Sequence, residues 1–456
     1  MSSSDYATDG ALGISSMGLN PFVTPGVIYS LAAPTVASTN LAGNLVASSN
    51  DSQVVLPNTR IAIDDAGNIY SWSGSGWTKQ VTGLSNTYSF PESDIEPFYS
   101  HNYATCNGDD LLQINTSSWT VNEEFQTLQD ANALHPLLVY QASLWIGDGK
   151  HLANLQSDES TFNADASWVL NGNEKIVALG IDPLTGLMMV SVENSYNPTD
   201  SIQQKGIIYL YDGISSKPSR KILVDDLITA FYNIGGQVFV GTGSGTIGAW
   251  NGNGITYLRK LATNGTFLKA DLPYKHHFSN TRNILHIVDG DDVLSYGEVI
   301  AGKKAFFYTG YNSINSNNID IIFPAGSNKL GVAAHSSQFE TFDFGSTAAG
   351  LGILYFNNIY FPRPIFIRRV RVITTNITTT GGGGIGGFTF FDENSLFPTQ
   401  IGFIVPSLGA TSTGSPQNDF DFDYGSFKCQ AVQPRLTFSG QGFGVIRIII
   451  YYDVAE

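Results

Sequence analysis

Cysteine and charged residues are both scarce in this sequence. Among 456 residues there are two cysteines, Cys106 and Cys429, and neither belongs to a Cys-x-x-Cys pair. That arrangement argues against a zinc site and a disulfide framework, and two buried thiols are favoured over one long-range disulfide. Charged residues make up 14%, well below the ~25% of an average globular protein. Runs of strong helix formers are few, so we expect an all-β protein.

Basic residues and long apolar runs are also in short supply. There are 23 Lys and Arg against 39 Asp and Glu, a net charge of −16. This field repels phosphate, so we predict no nucleic-acid partner. The first residues, MSSSDYATDGALG, do not resemble a secretion signal. The longest apolar run, 446–452, is broken by Arg447 and is too short to span a bilayer, so we predict no membrane insertion.

Glycine, by contrast, is abundant, with 48 residues, and it punctuates an irregular repeat. Each unit has an apolar strand, a Gly/Asn/Asp turn and a second strand containing an aromatic residue. The units start near residues 60, 103, 137, 176, 228, 284 and 321. Their mean spacing of about 43 residues matches a four-stranded propeller blade. We therefore predict a β-propeller of six or seven blades, with one large sandwich as the alternative.

The composition and the lengths of the predicted strands change on both sides of this repeat. Residues 1–55 are rich in Ser, Ala, Thr, Asn and Gly, and predict an extended N-terminal arm that lies on a neighbouring surface or stays mobile. Residues 56–345 form the predicted propeller. Residues 346–456 contain longer strands and predict a C-terminal β-sandwich. In one of them Ile365, Ile367, Arg369 and Arg371 alternate with Phe366, Arg368, Val370 and Val372.

Few motifs suggest chemistry. The segment Gly243-Ser-Gly-Thr-Ile-Gly248 matches a dinucleotide-binding pattern but leads into a strand, so we interpret it as a hairpin and predict no cofactor. His276, His277 and His286 favour structural roles, because adjacent strand residues point to opposite faces. A glycoside hydrolase stays open, since paired carboxylates meet only in three dimensions. The candidate loop acids are Asp64, Asp65, Glu92 and Asp94.

Two groups of residues are candidates for binding. Alternation puts Asp419, Asp421 and Asp423 on one strand face, a weak calcium site or a partner for the arginines Arg368, Arg369 and Arg371 in the same domain or across a subunit interface. A solvated acidic face is the favoured alternative to a metal. Trp145 and Trp250 recur near blade ends and are candidates for a carbohydrate platform, although packing between blades is favoured.

Three segments in order carry a resemblance: residues 10–26 (GALGISSMGLNPFVTPG), 206–213 (GIIYLYDG) and 360–372 (YFPRPIFIRRVRV). Together they resemble virion proteins of tailed bacteriophages, in which an arm, a propeller and a sandwich form a tail component. The resemblance implies assembly with copies of itself and other virion proteins, and contact with the host surface, rather than a reaction. It implies location in the virion after synthesis in the host cytoplasm.

The sequence thus supports three hypotheses. The first is a non-enzymatic structural protein of the phage tail, whose many copies supply avidity. The second is a propeller adhesin that binds a host-surface glycan. The third is a propeller glycoside hydrolase with two close carboxylates at the central channel.

Overall fold

Antiparallel β-strands make up nearly all of the regular structure. The computed structural model describes residues 19–24, 27–31, 35–36, 41–49, 60–166, 168–194, 206–261, 273–290, 292–300, 302–308, 319–334, 338–345, 351–355, 359–374, 384–392, 399–404, 419–439 and 444–455. Within this part of the chain no helix is long and apolar enough to cross a membrane.

Three short strands come first and are followed by the first four blades, each an antiparallel four-stranded meander. The short strands are β1 (Leu19–Thr24), β2 (Val27–Ser30) and β3 (Thr35–Val36). Blade 1 comprises β4 (Leu45–Ser48), β5 (Ile61–Asp64), β6 (Ile69–Trp72) and β7 (Trp77–Val81). Blade 2 comprises β8 (Ile95–Phe98), β9 (His101–Thr105), β10 (Asp110–Asn115) and β11 (Thr120–Thr127). Blade 3 comprises β12 (Leu137–Tyr140), β13 (Ser143–Asp148), β14 (His151–Leu155) and β15 (Phe162–Asn163). Blade 4 comprises β16 (Glu174–Ile181), β17 (Met188–Asn194), β18 (Gly206–Tyr211) and β19 (Arg220–Val224).

Three more blades complete the set. Blade 5 comprises β20 (Ile228–Ile234), β21 (Gln237–Thr242), β22 (Thr246–Trp250) and β23 (Ile255–Lys260). A 3₁₀ helix (Lys275–His277) precedes blade 6, which comprises β24 (Phe278–Thr281), β25 (Ile284–Asp289), β26 (Asp292–Ile300) and β27 (Lys303–Tyr308). Blade 7 comprises β28 (Ile319–Gly326), β29 (Lys329–Ala334), β30 (Gln338–Asp343) and, as its fourth strand, β3.

Alternation along the strands directs side chains into the cores between blades. In β20, Phe231 packs into the core shared with blade 4, whereas Ala230 and Tyr232 pack into the core shared with blade 6. This is the two-residue period of a strand buried on both faces. The hairpin from β20 to β21 turns at Gly235 and Gly236, whose φ angles of 56° and 83° suit residues without a Cβ atom.

The blades close into a ring. Each of seven hydrophobic clusters among the described residues takes its buried side chains from two consecutive blades. The seventh joins blade 7 to blade 1, where Phe323 and Phe339 stack and meet Trp72 and Trp77 edge-on at 5.0 to 6.3 Å. The strand order and this continuous series of cores define a seven-bladed propeller.

Strands from the predicted N-terminal arm belong to several sheets. β3 closes blade 7, with Thr35 opposite Thr341 and Val36 opposite Glu340. β4 is the first strand of blade 1, before the predicted boundary at residue 56. β1 and β2 form a hairpin that joins the C-terminal sheet, and the Phe22 ring of β1 lies about 3 Å from where a Cβ atom on Gly297 of β26 would be. The N-terminal segment therefore connects the propeller to the C-terminal sheet.

The C-terminal strands form one hydrogen-bonded sheet. Its strands are β31 (Leu351–Tyr355), β32 (Ile359–Thr374), β33 (Gly384–Asp392), β34 (Thr399–Ile404), β35 (Asp419–Ser439) and β36 (Gly444–Val454). With β1 and β2 they give the order β1-β2-β36-β32-β35-β33-β34, and β31 also pairs with β35. The first half of β35 pairs with β32, and its second half pairs with β31 and β33. The eight described strands are thus linked in one sheet, in which β35 changes neighbours.

A bulge in β32 corrects the predicted alternation of this strand. Ile365 and Ile367 are buried, but so are Val370 and Val372, which strict alternation puts on the other face. The pairing with β36 shifts between Ile367 and Arg369, so Arg368 is an extra residue relative to β36 and reverses the alternation. All four aliphatic side chains are buried as a result.

The predicted all-β propeller is confirmed, and the described blades number seven. Four of the predicted unit starts fall on or beside the first strand of a blade, and the units predicted at 60, 103 and 284 begin at the second strand. Cys106 is buried in blade 2 and Cys429 is half-buried in the C-terminal sheet, and no disulfide joins them.

Candidate functional site

The most distinctive polar site lies in the central channel. The first strand of each blade lines the channel of a propeller. A small, partly open cavity lies beside the first strands of blades 2 to 5 and the 3₁₀ helix. Its lining comprises residues 91–94, 134–137, 177–179, 229–231 and 274–276. We define the channel cluster as Asp94, Glu96, His135, Lys275 and His276.

Lys275 ties three blades together at this place. Its Nζ atom donates to both carboxylate oxygens of Asp94, at 3.0 and 2.9 Å, and to Glu96 Oε1 at 2.5 Å. It also donates to the carbonyl oxygen of Leu137 at 3.2 Å. Lys275 lies in the 3₁₀ helix that leads into blade 6. The two acids lie at the first strand of blade 2, and Leu137 is the first residue of β12 in blade 3. The lysine therefore acts as a strut across the channel.

Asp94 is the centre of the channel cluster. Its carboxylate also accepts from the backbone N–H of Leu137 at 2.9 Å and of Ile95 at 2.8 Å. Burial by itself would raise the pKa of Asp94, but Lys275, His276 and the Leu137 N–H hold it well below its usual range. Burial would lower the pKa of Lys275, and the two carboxylates raise it instead. Asp94 and Lys275 are accordingly both charged at neutral pH.

Two buried histidines, His135 and His276, line the cavity. His276 Nε2 lies 3.3 Å from Asp94 Oδ1. His135 Nε2 lies 3.1 Å from the carbonyl oxygen of Asp130 and 3.5 Å from Asp148 Oδ1. The Nδ1 atoms of both histidines have no hydrogen-bond partner among the described residues.

In the channel cluster, the positive charge of Lys275 offsets the negative charge of the two carboxylates that it contacts. A glycoside hydrolase needs one carboxyl group with a raised pKa, so that it is protonated and can donate to the leaving group. Lys275 does the opposite to Asp94, whose pKa is lowered. Within the described residues there is also no group of three His, Cys, Asp or Glu side chains that could hold a metal ion. The arrangement suits cross-blade bracing better than acid catalysis.

Only part of the channel cluster was visible in the sequence. Of the four candidate loop acids, the structure places Glu92 and Asp94 at the cavity. Asp64 is instead buried in blade 1, where it accepts from Asn68 and Tyr70, and Asp65 is exposed beside it. Glu96, His135 and Lys275 were missed, because Lys275 meets Asp94 across 181 residues of sequence. The alternating acids at the start of β8 and the lysine beside His276 were the available signal.

The two candidate tryptophans lie in cores between blades. Trp145 is buried between blades 3 and 4, and its Nε1 donates to the carbonyl oxygen of Tyr140 at 3.1 Å. Trp250 is buried between blades 4 and 5, and its Nε1 donates to Asp182 Oδ1 at 3.1 Å. Both are 4% exposed or less, so neither ring presents a face for stacking a sugar. The packing alternative describes both positions.

The arginines of β32 have mixed surroundings. Arg368, the bulge residue, is exposed, and its Nε donates to Asp453 Oδ2 at 2.7 Å. Arg369 stands over the Tyr451 ring at 5.7 Å. The β32–β35 register puts Arg369 opposite Asp423 and Arg371 opposite Asp421, with Asp419 opposite Ile373. This register is compatible with the predicted pairing of arginines and acids within the domain. The calcium site stays a prediction, because the side chains of these three aspartates lie outside the described ones.

Two other motifs have structural roles. Residues 243–248 span the hairpin from β21 to β22, where Gly245 has a φ angle of 75°. His286 is buried in blade 6 between Thr281 Oγ1 and Ser295 Oγ, each 2.7 Å from a ring nitrogen. Burial lowers the pKa of His286 to about 3.

Comparisons with known proteins find similarity to solved structures alone. No family model matches the sequence, and no curated protein matches it. Among solved structures, the Swd1 (Cps50) β-propeller domain of Myceliophteria thermophila is similar over 68% of this chain and 99% of that domain, with a TM-score of 0.48 and 7% identity. Raptor of Chaetomium thermophilum is similar over 69% of this chain and 29% of its own length, with a TM-score of 0.47 and 10% identity. A computationally designed protein, Ika8, is similar over 66% of this chain and 97% of its own, with a TM-score of 0.42 and 10% identity.

Proposed function

We propose that this chain is a non-enzymatic structural component of a bacteriophage virion, located in the tail. In this proposal it assembles with copies of itself and with other virion proteins through its C-terminal sheet and its N-terminal strands. Repetition in the particle would make weak contacts with the host surface effective through avidity.

The observation that carries the proposal is an exposed apolar strand in the C-terminal sheet. Four large hydrophobic side chains of β36 are 41 to 54% exposed: Ile446, Tyr451, Tyr452 and Val454. The other six large exposed hydrophobic residues in the described chain lie in or between blades 2 to 5, three of them in blade 4, and no other strand carries more than one of them. Clustered exposed apolar residues mark interaction surfaces, whereas scattered ones are ordinary. This concentration supports an assembly contact at the C-terminal sheet.

The alternatives have weaker support. The adhesin hypothesis relied on Trp145 and Trp250, which are buried. The hydrolase hypothesis relied on close carboxylates in the channel, where Lys275 neutralises Asp94. A structural role requires neither a sugar platform nor a protonated acid.

The decisive experiment asks whether the chain is part of the particle. Virions are purified on a density gradient, and their proteins are quantified by mass spectrometry alongside the unassembled fraction of the lysate. We expect this chain to co-purify with tail proteins in a fixed ratio, and labelled antibody to decorate tails in electron micrographs. Recovery of the chain only in the unassembled fraction would contradict the proposal.

A further inference from the structure

Most of the outer edge of β36 has no paired strand among the described residues. On one side β36 pairs with β32 along nearly the whole strand. On the other side it pairs with β2 at Gly444 and Val445, and at no later residue among those described. Among the described residues, no strand pairs with the outer edge of residues 446–454. The side chains of this stretch are exposed at 446, 447 and 451–454 and half-buried at 448–450. Unpaired edges of this length are templates for a further strand.

The order of residues along this edge is self-complementary. Residues at equal distances on either side of Ile450 form pairs of similar character. The first pair is Ile449 and Tyr451, and the second is Ile448 and Tyr452. The next pair matches Arg447 with Asp453. If two copies of the strand pair antiparallel with Ile450 opposite itself, every pair is therefore either apolar with apolar or positive with negative. Pairs of both kinds stabilise adjacent strands.

Two-fold symmetry allows few other registers for a pair of β36 strands. A two-fold axis perpendicular to the sheet keeps each residue on its own face, and residues directly opposite each other share a face. A residue must therefore lie opposite its own copy at the centre. Centring on Ile449 sets Asp453 against Val445, which is already paired with β2. Centring on Tyr451 sets Asp453 against Ile449. Among these, only the register centred on Ile450 joins Arg447 to Asp453.

Both charged side chains are accessible. Arg447 is exposed, and the side chain of Asp453 is 62% exposed although one of its oxygens accepts from Arg368. From this complementarity we propose that a second copy of this chain pairs with the open edge of β36, antiparallel and with Ile450 at the two-fold axis, extending the eight-stranded sheet into one of sixteen strands. This inference rests on the proposed function in that it names the assembly contact.

A cysteine cross-link tests the register directly. In the full-length chain with Cys429→Ser, the remaining native thiol, Cys106, is buried. Ile450→Cys then places two sulfurs across the axis with Cα atoms about 4.5 to 5.5 Å apart, within the range of a disulfide. The control is Ile448→Cys, on the same face, whose two copies are about 13 Å apart in this register. On mild oxidation we expect at least about tenfold more cross-linked dimer for Ile450→Cys.

A charge-exchange experiment tests the ends of the strand. Arg447→Asp and Asp453→Arg each set like charges against each other at both ends of a homodimer. An equimolar mixture of the two variants restores both attractive pairs. Sedimentation velocity should show dimer for the wild type, about tenfold weaker dimerisation for each variant alone, and recovery in the mixture.

These experiments can fail independently of the proposed function. A wild-type chain that stays monomeric at 100-fold above its concentration in the lysate would overturn the pairing. Equal cross-linking of Ile450→Cys and Ile448→Cys would overturn it as well. Presence of the chain in purified tails would still support a structural role, with another protein covering β36.

Discussion

The residue with the most unusual surroundings is Lys275. A buried ion pair contributes little relative to apolar packing, but removing one partner leaves an uncompensated buried charge. Lys275 faces two carboxylates, so its removal leaves Asp94 and Glu96 without their shared cation.

Replacing this lysine should destabilise the fold strongly. We expect Lys275→Met to lower the free energy of unfolding by about 3 to 5 kcal/mol. The matched control is Lys175→Met, which breaks a more exposed pair with Asp130 at 3.0 Å and should cost at most about 1 kcal/mol. Urea denaturation measures both. Equal losses in the two variants would show that the strut does not brace the channel.

His286 makes stability depend on pH. Its pKa is about 3 in the folded chain because of burial and about 6.5 in the unfolded chain. Below pH 6.5 the unfolded chain therefore binds a proton that the folded chain does not, and stability falls as the pH decreases towards 3. Between pH 7.5 and 5 this one residue should remove about 2 kcal/mol.

The variant His286→Gln should remove that dependence. Glutamine retains a donor and an acceptor for Thr281 and Ser295 but does not titrate. Denaturation at pH 7.5 and pH 5 should show that wild type loses about 2 kcal/mol more than the variant over this range. Parallel losses would mean that His286 is protonated in the folded state.

At the level of elements, the N-terminal strands matter most. β3 supplies the fourth strand of blade 7, and Leu31, just before it, is buried in the core between blades 6 and 7. A segment that reads as a polar arm thus completes two sheets. Its composition could not indicate this, because pairing partners for β3 lie three hundred residues away in β30.

Truncation should separate the roles of this segment. Removing residues 1–40 deletes β1, β2 and β3, exposes the edge of β30 and leaves a cavity where Leu31 was. We expect a loss of at least about 2 to 5 kcal/mol and faster amide hydrogen exchange in residues 338–343. Removing residues 1–18 deletes none of the described strands and serves as the control. Unchanged exchange in β30 after the longer truncation would contradict strand closure.

At the level of the whole molecule, the ring makes the seven blades interdependent. Each core is shared by two blades, so a defect in one core weakens both neighbours, and the closed ring has no terminal blade to lose alone. The core between blades 7 and 1 is the test case, because it joins the two ends of the repeat.

Opening this junction should destabilise distant blades too. Phe339 is buried among Trp72, Trp77 and Phe323, and Phe339→Ala should cost about 3 to 5 kcal/mol. Hydrogen exchange should show that protection falls as much in blade 4 as in blade 7. Loss confined to blades 7 and 1 would indicate that the blades unfold separately.

The sequence alone was enough for the class and the repeat, because strand alternation and glycine turns are local properties, but it left the number of blades at six or seven. It also placed Asp94 among candidate acids and favoured buried roles for Trp145 and Trp250. The tertiary structure decided what depends on distant contacts: the fourth strand of blade 7, the partners of Lys275 and the open edge of β36. The low proportion of charged residues follows from the seven hydrophobic cores, because nearly every blade is buried on both of its faces. The few charges inside that ring, such as Asp94 and Lys275, are held by partners that only the closed ring brings together.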